Sequence, residues 1–168
     1  MTLTLHLGVL EIPYTEEAPA QKKPKGKARR GKKRPKKKTG DTSAAKTTGD
    51  VAQILEGKYH IMSIFYELNE EQIAGYFADA MAGALEDVFA GAPPQAKPYA
   101  QAESDIQTRF REFLDRDEMA HTATPGVPTR AARRGVNHRL KIKKGNPRPS
   151  FIDTGAYQGA FLAWVDES

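Results

Sequence analysis

The chain contains no cysteine, and this absence removes two classes of site at once. Without thiols the protein can form neither disulfides nor the thiolate ligand sets of zinc fingers, and no redox compartment can be inferred. No apolar run approaches the roughly 18 residues that a membrane span requires, and the first residues lack the charged-then-apolar pattern of a secretory signal. We therefore expect one modest domain, assembled in the cytoplasm and without contact with membranes.

Large apolar residues are missing from one long stretch, because residues 15–50 contain no Val, Ile, Leu, Met, Phe, Trp or Tyr. Such a segment cannot bury enough apolar surface to offset the entropy of ordering, so we expect a flexible arm that is ordered only against a partner. As a free coil its ends would lie roughly 30 to 35 Å apart. The arm separates an N-terminal strand (1–14) from a core domain (51–168).

Acidic residues are missing from the middle of this arm. Residues 22–38 hold twelve cations and no acid, and the rest of the chain has fourteen bases against twenty-one acids. The basic isoelectric point of about 9.4 therefore belongs largely to one segment. Its twelve cations are Lys22, Lys23, Lys25, Lys27, Arg29, Arg30, Lys32, Lys33, Arg34, Lys36, Lys37 and Lys38.

The arm has two candidate partners. A run of cations suits the phosphates of DNA, but no aromatic residue is interleaved to stack on bases, so we do not expect sequence-specific readout. Acidic protein is an equally good partner, because residues 51–119 contain thirteen acids and five bases. The sequence leaves the choice between DNA and a neighbouring subunit open.

Helical periodicity dominates the middle of the chain. The main helix is predicted over 69–89, with Asn69 as its N-cap and Gly91 as its stop. Its apolar stripe is interpreted as a packing face and consists of Ile73, Phe77, Met81, Ala84, Val88 and Phe89. A second amphipathic helix over about 100–116 completes a helical hairpin. Before the main helix, Asp50 is predicted to cap a short helix that ends at Gly57. Residues 59–68 are also predicted to be helical.

Strand patterns lie at the two ends of the chain. Residues 2–14 alternate in hydrophobicity, which predicts a strand that is broken or bent at Gly8 and ends at Pro13. Residues 161–165 predict a second strand. Just before the second strand, Asp153 or Thr154 is expected to cap a turn, Gly155 to allow close backbone approach, and Tyr157 to begin a helical turn. Phe161 and Trp164 are expected to be buried. The predicted fold class is α+β, a helical hairpin packed with a small β-sheet of terminal strands, plus a long extended basic arm.

A second basic block lies between 130 and 148, where eight bases occur without an acid. Thr129 is predicted to cap a short basic helix running to about Leu140. The block is a second candidate surface for polyanions or for acidic neighbours, and Arg133 and Arg134 are its central members. Neither His6 and His60 nor the helix acids have the spacing of a catalytic or metal site, so no cofactor and no enzymatic activity are expected.

The end of the chain resembles a known family. In the order Thr154, Gly155, Tyr157 and Ala160, before a final strand, it is similar to the C-terminal part of neck proteins of tailed bacteriophages, the head–tail connector or tail-completion family. The preceding stretch, from Gly126-Val127-Pro128 through the basic helix to Arg148-Pro149, is likewise similar to phage virion proteins of this kind. The resemblance covers about residues 125–165, and the helical hairpin in outline.

This resemblance implies a non-enzymatic virion protein that forms a homo-oligomeric ring around the DNA channel. Its implied partners are further copies of itself, the portal or connector proteins and the tail proteins, with packaged DNA as a partner of the arm. Assembly would take place in the host cytoplasm. An alternative from another class is a non-specific DNA-binding accessory protein that acts through the basic arm.

Overall fold

The computed structural model describes residues 2–13, 47–137 and 143–167. Within these ranges the predicted α+β class is confirmed by helices and a two-stranded antiparallel sheet. Most of the predicted arm lies in 14–46, outside the described residues. The elements in chain order are β1 (Leu3–Val9), α1 (Thr48–Tyr59), α2 (Ile61–Phe89), α3 (Ala100–Asp115), a 3₁₀ helix (Glu118–His121), α4 (Arg130–Arg133), α5 (Ala156–Gly159) and β2 (Phe161–Glu167).

Helix α1 begins earlier than the sequence predicted. Thr47 is the N-cap: its hydroxyl accepts a hydrogen bond from the Asp50 amide at 3.2 Å, and the Asp50 carboxylate accepts one from the Thr47 amide at 2.9 Å. This reciprocal capping box makes Asp50 the third residue of the helix rather than its cap. The helix continues through Gly57 and ends only at His60, which takes a left-handed conformation with φ of 51°.

Helix α2 unites two segments that the sequence analysis treated separately. Asn69, the predicted N-cap, lies inside the helix and is buried, and its side-chain amide donates to the Phe65 carbonyl at 2.7 Å. The cap prediction was wrong because Asn69 satisfies its amide on the preceding turn instead of starting a new helix. At the true start, Glu56 accepts a hydrogen bond from the Met62 amide at 2.8 Å. The predicted stop is confirmed, since Gly91 has a φ of 87°.

Helices α2 and α3 run antiparallel and form a hairpin in which α2 is the longer helix. Phe65, near the start of α2, contacts Phe113, near the end of α3, and Phe77 contacts Tyr99 just before α3 begins. Helix α2 has 29 residues and α3 has 16. Residues 78–89, which we call the α2 tip, therefore extend beyond the start of α3.

The predicted packing stripe of α2 is correct only in part. Ile73 is buried, but Met81, Val88 and Phe89 are exposed, Phe89 to 86%. The reason is the shorter partner helix, since α3 starts beside Phe77 and leaves the outer turns of α2 uncovered.

An aromatic cluster forms the core between the hairpin and the sheet. The rings of Phe110 on α3 and Phe161 on β2 stack with centroids 3.8 Å apart, and Phe65 on α2 meets Phe110 edge-on at 5.1 Å. All three residues are at most 1% exposed. Aromatic pairs of this kind are stabilising beyond the area that they bury, so this cluster fixes the hairpin on the sheet.

The sheet joins the two ends of the described chain. In the antiparallel register Leu3 lies opposite Glu167 and Val9 opposite Phe161. Strand β1 is paired through Gly8 without interruption, so a break there is not found, and the strand ends at Val9 rather than at Pro13. A Cβ atom at Gly8 would lie 2.9 Å from the Trp164 ring, and the glycine is therefore needed for close packing across the sheet.

A half-buried ion pair links α3 to the 3₁₀ helix. The Arg109 guanidinium donates to both carboxylate oxygens of Glu118, at 2.9 and 2.7 Å, and its Nε donates to Gln72 of α2 at 3.2 Å. The hydrogen bonds from Arg109 lower the pKa of the Glu118 carboxyl, against the opposing effect of burial. Because that pKa is depressed on folding, the pair stabilises the fold above the ordinary glutamate pKa and loses this effect as the pH falls through the folded value.

Two leucines provide a direct test of the core. Leu114 on α3 is 1% exposed and Leu68 on α2 is 57% exposed. We expect Leu114→Ala to lower the free energy of unfolding by about 2 to 5 kcal/mol, because it leaves a cavity in packed surroundings. The matched substitution Leu68→Ala should change it by no more than about 1 kcal/mol. Denaturant unfolding measures both, and equal losses would contradict this assignment of the core.

Candidate functional site

The Thr-Gly turn leads directly into the core, although not in the predicted manner. Gly155 is the N-cap of α5 with a φ of 77°, and no side chain caps the helix. The expected capping by Asp153 or Thr154 was therefore wrong, and Thr154 is exposed. Gly155 serves through its left-handed backbone and not through the predicted close approach, since a Cβ atom there would meet nothing within 4 Å. The turn places Tyr157 in the core, as predicted.

Phe161 and Trp164 have different environments because they lie on opposite faces of β2. Phe161 is 1% exposed, whereas Trp164 is 40% exposed, so the prediction of a buried Trp164 was wrong. The strand alternation explains this result: an odd separation of three residues reverses the face. On the outer face Trp164 stacks on His6 at 5.2 Å, and His6 Nε2 lies 3.1 Å from Asp166. This surface therefore consists of a stacked pair of rings on the outer face of the sheet.

Arg148 belongs to the block that was predicted as a surface for polyanions or acidic neighbours, but its guanidinium connects parts of its own chain. Nη2 donates to the Val136 carbonyl at 3.2 Å and to the Asp153 carboxylate at 3.1 Å. Nη1 donates to the Ile152 carbonyl. The Arg148 side chain therefore joins the end of the basic block to the Thr-Gly turn and is not available as a surface cation.

Other members of the basic block assemble on one surface. Helix α4 is capped by Thr129, whose hydroxyl accepts from the Ala132 amide at 3.2 Å, but it ends at Arg133 rather than near Leu140. The chain reverses at Gly135, where a Cβ atom would overlap the backbone of residues 145–146. Arg139 and Lys141 lie outside the described residues.

The reversal brings five exposed cations together, which we call the basic cluster. Within the described residues none of them forms an ion pair with a carboxylate. Arg133 and Arg134 are exposed, and their predicted contact with polyanions or acidic neighbours stays a prediction. The basic cluster consists of Arg130, Arg133, Arg134, Lys143 and Lys144.

A groove lies beside the basic cluster. Its volume is about 330 Å³, and α1 and α4 form part of its wall through Leu55, Tyr59 and Ala131, with Phe151 from the following loop. We call it the α1 groove. Ala131 of the groove wall lies between Arg130 and Arg133 on the short helix α4, so the basic cluster adjoins the groove through this helix. The groove has no continuous pattern in the sequence, because its wall combines residues that are some ninety positions apart.

The ends of the basic arm meet at one place on the fold. Pro13 pairs with Thr47 in an isolated antiparallel bridge, and the Thr48 amide donates to the Ile12 carbonyl at 2.9 Å. The buried Thr48 hydroxyl accepts from the Ile12 amide at 2.8 Å and donates to the Leu10 carbonyl. The expected separation of roughly 30 to 35 Å was therefore wrong. The twelve cations of 22–38 lie outside the described residues, in a segment whose two ends are joined.

Sequence reasoning missed Thr48, although a signal was present. The pattern Thr-x-x-Asp at 47–50 is the signature of a capping box, and it places the helix start at Thr48. It could not show that Thr48 also bonds to residues 36 and 38 positions earlier.

The described residues contain no cluster with the composition of a metal site. Within 2–13, 47–137 and 143–167 no cluster of three or more His, Asp or Glu side chains could hold a metal ion. Among the helices described here, none has the length and apolar character needed to cross a membrane. The features that remain are surfaces: the α2 tip, the basic cluster and the α1 groove.

Comparisons with protein-family models, with curated proteins and with solved structures gave no significant match.

Two arginines test the internal role of Arg148. We expect Arg148→Ala to lower the free energy of unfolding by about 1.5 to 3 kcal/mol, because it removes charge-assisted hydrogen bonds from two carbonyls and a carboxylate. Arg134→Ala, which removes an exposed cation, should change it by no more than about 0.5 kcal/mol. Urea unfolding distinguishes the two, and an unchanged stability of the Arg148 variant would overturn its assignment as an internal connection.

Proposed function

We propose that this chain is a structural protein of the neck of a tailed-phage virion. In this role it joins the head and its portal connector to the tail as one subunit of an oligomeric ring around the DNA channel. Its partners are further copies of itself, connector proteins and tail proteins. No catalytic activity is part of the proposal.

The observation that carries the proposal is the position of the segment that resembles phage neck proteins. The turn at Thr154 and Gly155 leads through Tyr157 to Phe161, whose ring stacks on Phe110 in the core. The segment then ends in β2, the strand that pairs with β1. The motif of the resemblance therefore corresponds to the central packing element of the fold, and not to a surface loop of similar composition.

The exposed surfaces also suit an assembly protein. Large apolar side chains stand uncovered on the outer turns of α2, at Met81, Leu85 and Val88. Contiguous apolar patches on a folded chain mark interaction sites more often than chance exposure does. The basic cluster, whose cations form no ion pair with a described carboxylate, offers a second contact surface of opposite character.

The joined ends of the basic arm favour contact with protein close to the fold. The segment 14–46 has 33 residues and is fixed at both ends by Pro13 and Thr47, so covalent geometry limits its reach to roughly 55 Å. Helix α2 carries six acids and no base, so every neighbouring copy presents an acidic partner. Docking of the arm on a neighbouring subunit is therefore preferred to contact with DNA.

Phage particles that lack the chain test the proposed function. We expect DNA-filled heads and finished tails to accumulate separately, and purified full-length protein should join them when it is added back. Electron microscopy of the joined particles should locate the chain in the neck. Normal particles in its absence, or its location elsewhere in the virion, would refute the proposal.

The alternative function, non-specific DNA binding, makes a different prediction. If six or more cations of the arm contact duplex phosphates, the logarithm of the affinity should fall against the logarithm of the salt concentration with a slope near −5 or steeper, because each neutralised phosphate contributes about −0.9. Under the neck proposal we expect little affinity of the isolated protein for random duplex at physiological salt. Titrations of a labelled duplex at several salt concentrations distinguish the two, and deletion of 22–38 is the control.

A further inference from the structure

The α2 tip presents an apolar face whose large side chains are about half exposed. Met81, Leu85 and Val88 follow one another at separations of four and three, so they lie on one side of the helix. They are 46%, 55% and 45% exposed, and Phe89 at the end is 86% exposed. The connection after the tip runs back along a different flank, where Gln95 donates to the Asp87 carboxylate at 2.6 Å.

The charge of α2 narrows the choice of partner. The helix contains six acids and no base, and two of the acids, Glu86 and Asp87, lie in its last turn. Carboxylates at this end face the negative pole of the helix dipole, and the last turn has no cation to offset them. A partner that presents both apolar surface and cations would cover the apolar face and also offset the unfavourable charge at this end of the helix.

The same chain presents a surface with that combination at its other end. The α1 groove provides apolar walls through Leu55, Tyr59 and Phe151. The basic cluster adjoins it through α4, and within the described residues its five cations form no ion pair. The α2 tip is complementary to this surface because the groove offers apolar walls and the adjoining cluster offers cations.

A single copy cannot bring these two surfaces together. Tyr59 of the groove lies two residues before the first residue of α2, and Phe89 lies at the last. A helix rises about 1.5 Å per residue, so the 28 steps from Ile61 to Phe89 separate the two ends by about 42 Å. Because α2 is one continuous helix, the contact requires two copies.

We propose that the α2 tip of one copy docks in the α1 groove and against the basic cluster of the next copy. This contact is heterologous, since different surfaces of the two copies meet, and such contacts produce closed rings when the rotation between copies closes. A two-fold contact between two tips is disfavoured because it would bring together two helix ends that each carry acids and no cation in the last turn. The proposed contact specifies how copies would meet in the ring, and its place in the neck rests on the proposed function. The contact itself occurs between purified copies.

Engineered thiols test the contact, because the chain has no cysteine of its own. One variant carries Ala90→Cys, next to the tip, and another carries Ala131→Cys, in the groove wall. We expect a mixture of the two to form the mixed disulfide at least about tenfold more than a mixture of Ala131→Cys with Ala74→Cys. Ala74 is an exposed position on α2 about 24 Å from Ala90, so it is a matched control.

Charge reversal tests the electrostatic part of the same contact. Glu86→Lys with Asp87→Lys in the Ala90→Cys variant should lower the yield of mixed disulfide at least about fivefold, and Arg133→Glu with Arg134→Glu in its partner should restore most of it. Circular dichroism of each variant verifies that it is folded. Equal yields with and without charge reversal would overturn the inference.

Two other outcomes of the thiol experiment would also overturn it. A predominant disulfide between two copies of the Ala90→Cys variant would mean a two-fold contact of the tips, and yields no greater than those of the control would mean that the tip does not meet the groove. The experiment uses purified full-length protein and no phage particle. A failed contact is thereby distinguished from a failed neck function, which the particle experiment measures separately.

Discussion

The stacked rings of Phe110 and Phe161 are the contact on which the rest of the structure depends. Phe110 belongs to the hairpin and Phe161 begins β2, so their stacking at 3.8 Å joins the two layers of the fold. Since β2 pairs with β1 along its whole length, the same contact also fixes the N-terminal strand. Tyr157 and Phe65 pack around this pair from α5 and α2. The C-terminal segment is therefore the part of the chain that organises the core.

The core of this small chain is uncharged, whereas its surfaces are strongly charged. The core cluster consists of apolar residues and aromatic rings, while the charged residues of α2 and α4 are exposed. Among the described charged residues, Arg109 with Glu118 and Arg148 with Asp153 form the ion pairs with the least exposed side chains, and both connect elements of the same copy. The cations of the basic cluster have no such partner among the described residues and can serve contacts between molecules.

Much of the fold could be predicted from the sequence because local patterns determine it. The apolar period of α3, the alternation of β2 and the glycine at 91 each specify structure within a few residues, and all three predictions are confirmed. The errors at Asn69 and Trp164 have another origin, since each depended on which element lies opposite. A cap pattern cannot show that a preceding helix continues, and an aromatic residue in a strand does not show which face meets the helices.

The candidate surfaces were less predictable for the same reason. The basic block was visible as composition, but the reversal at Gly135 that gathers its cations, and the role of Arg148 in holding that reversal, depend on contacts across the fold. The α1 groove depends on residues from both halves of the core domain and left no continuous signal in the sequence.

The apolar stripe of α2 illustrates the limit most clearly. Its helical period predicts burial, and burial within the chain is complete only at Ile73 and partial at Phe77 and Ala84. A period specifies a face but not the partner that covers it, and α3 ends its cover at Phe77 because it is thirteen residues shorter than α2. The twelve residues beyond that point add about 18 Å of helix with the same apolar pattern. Where an apolar period continues past the length of its partner helix, the period alone does not predict which surface covers it.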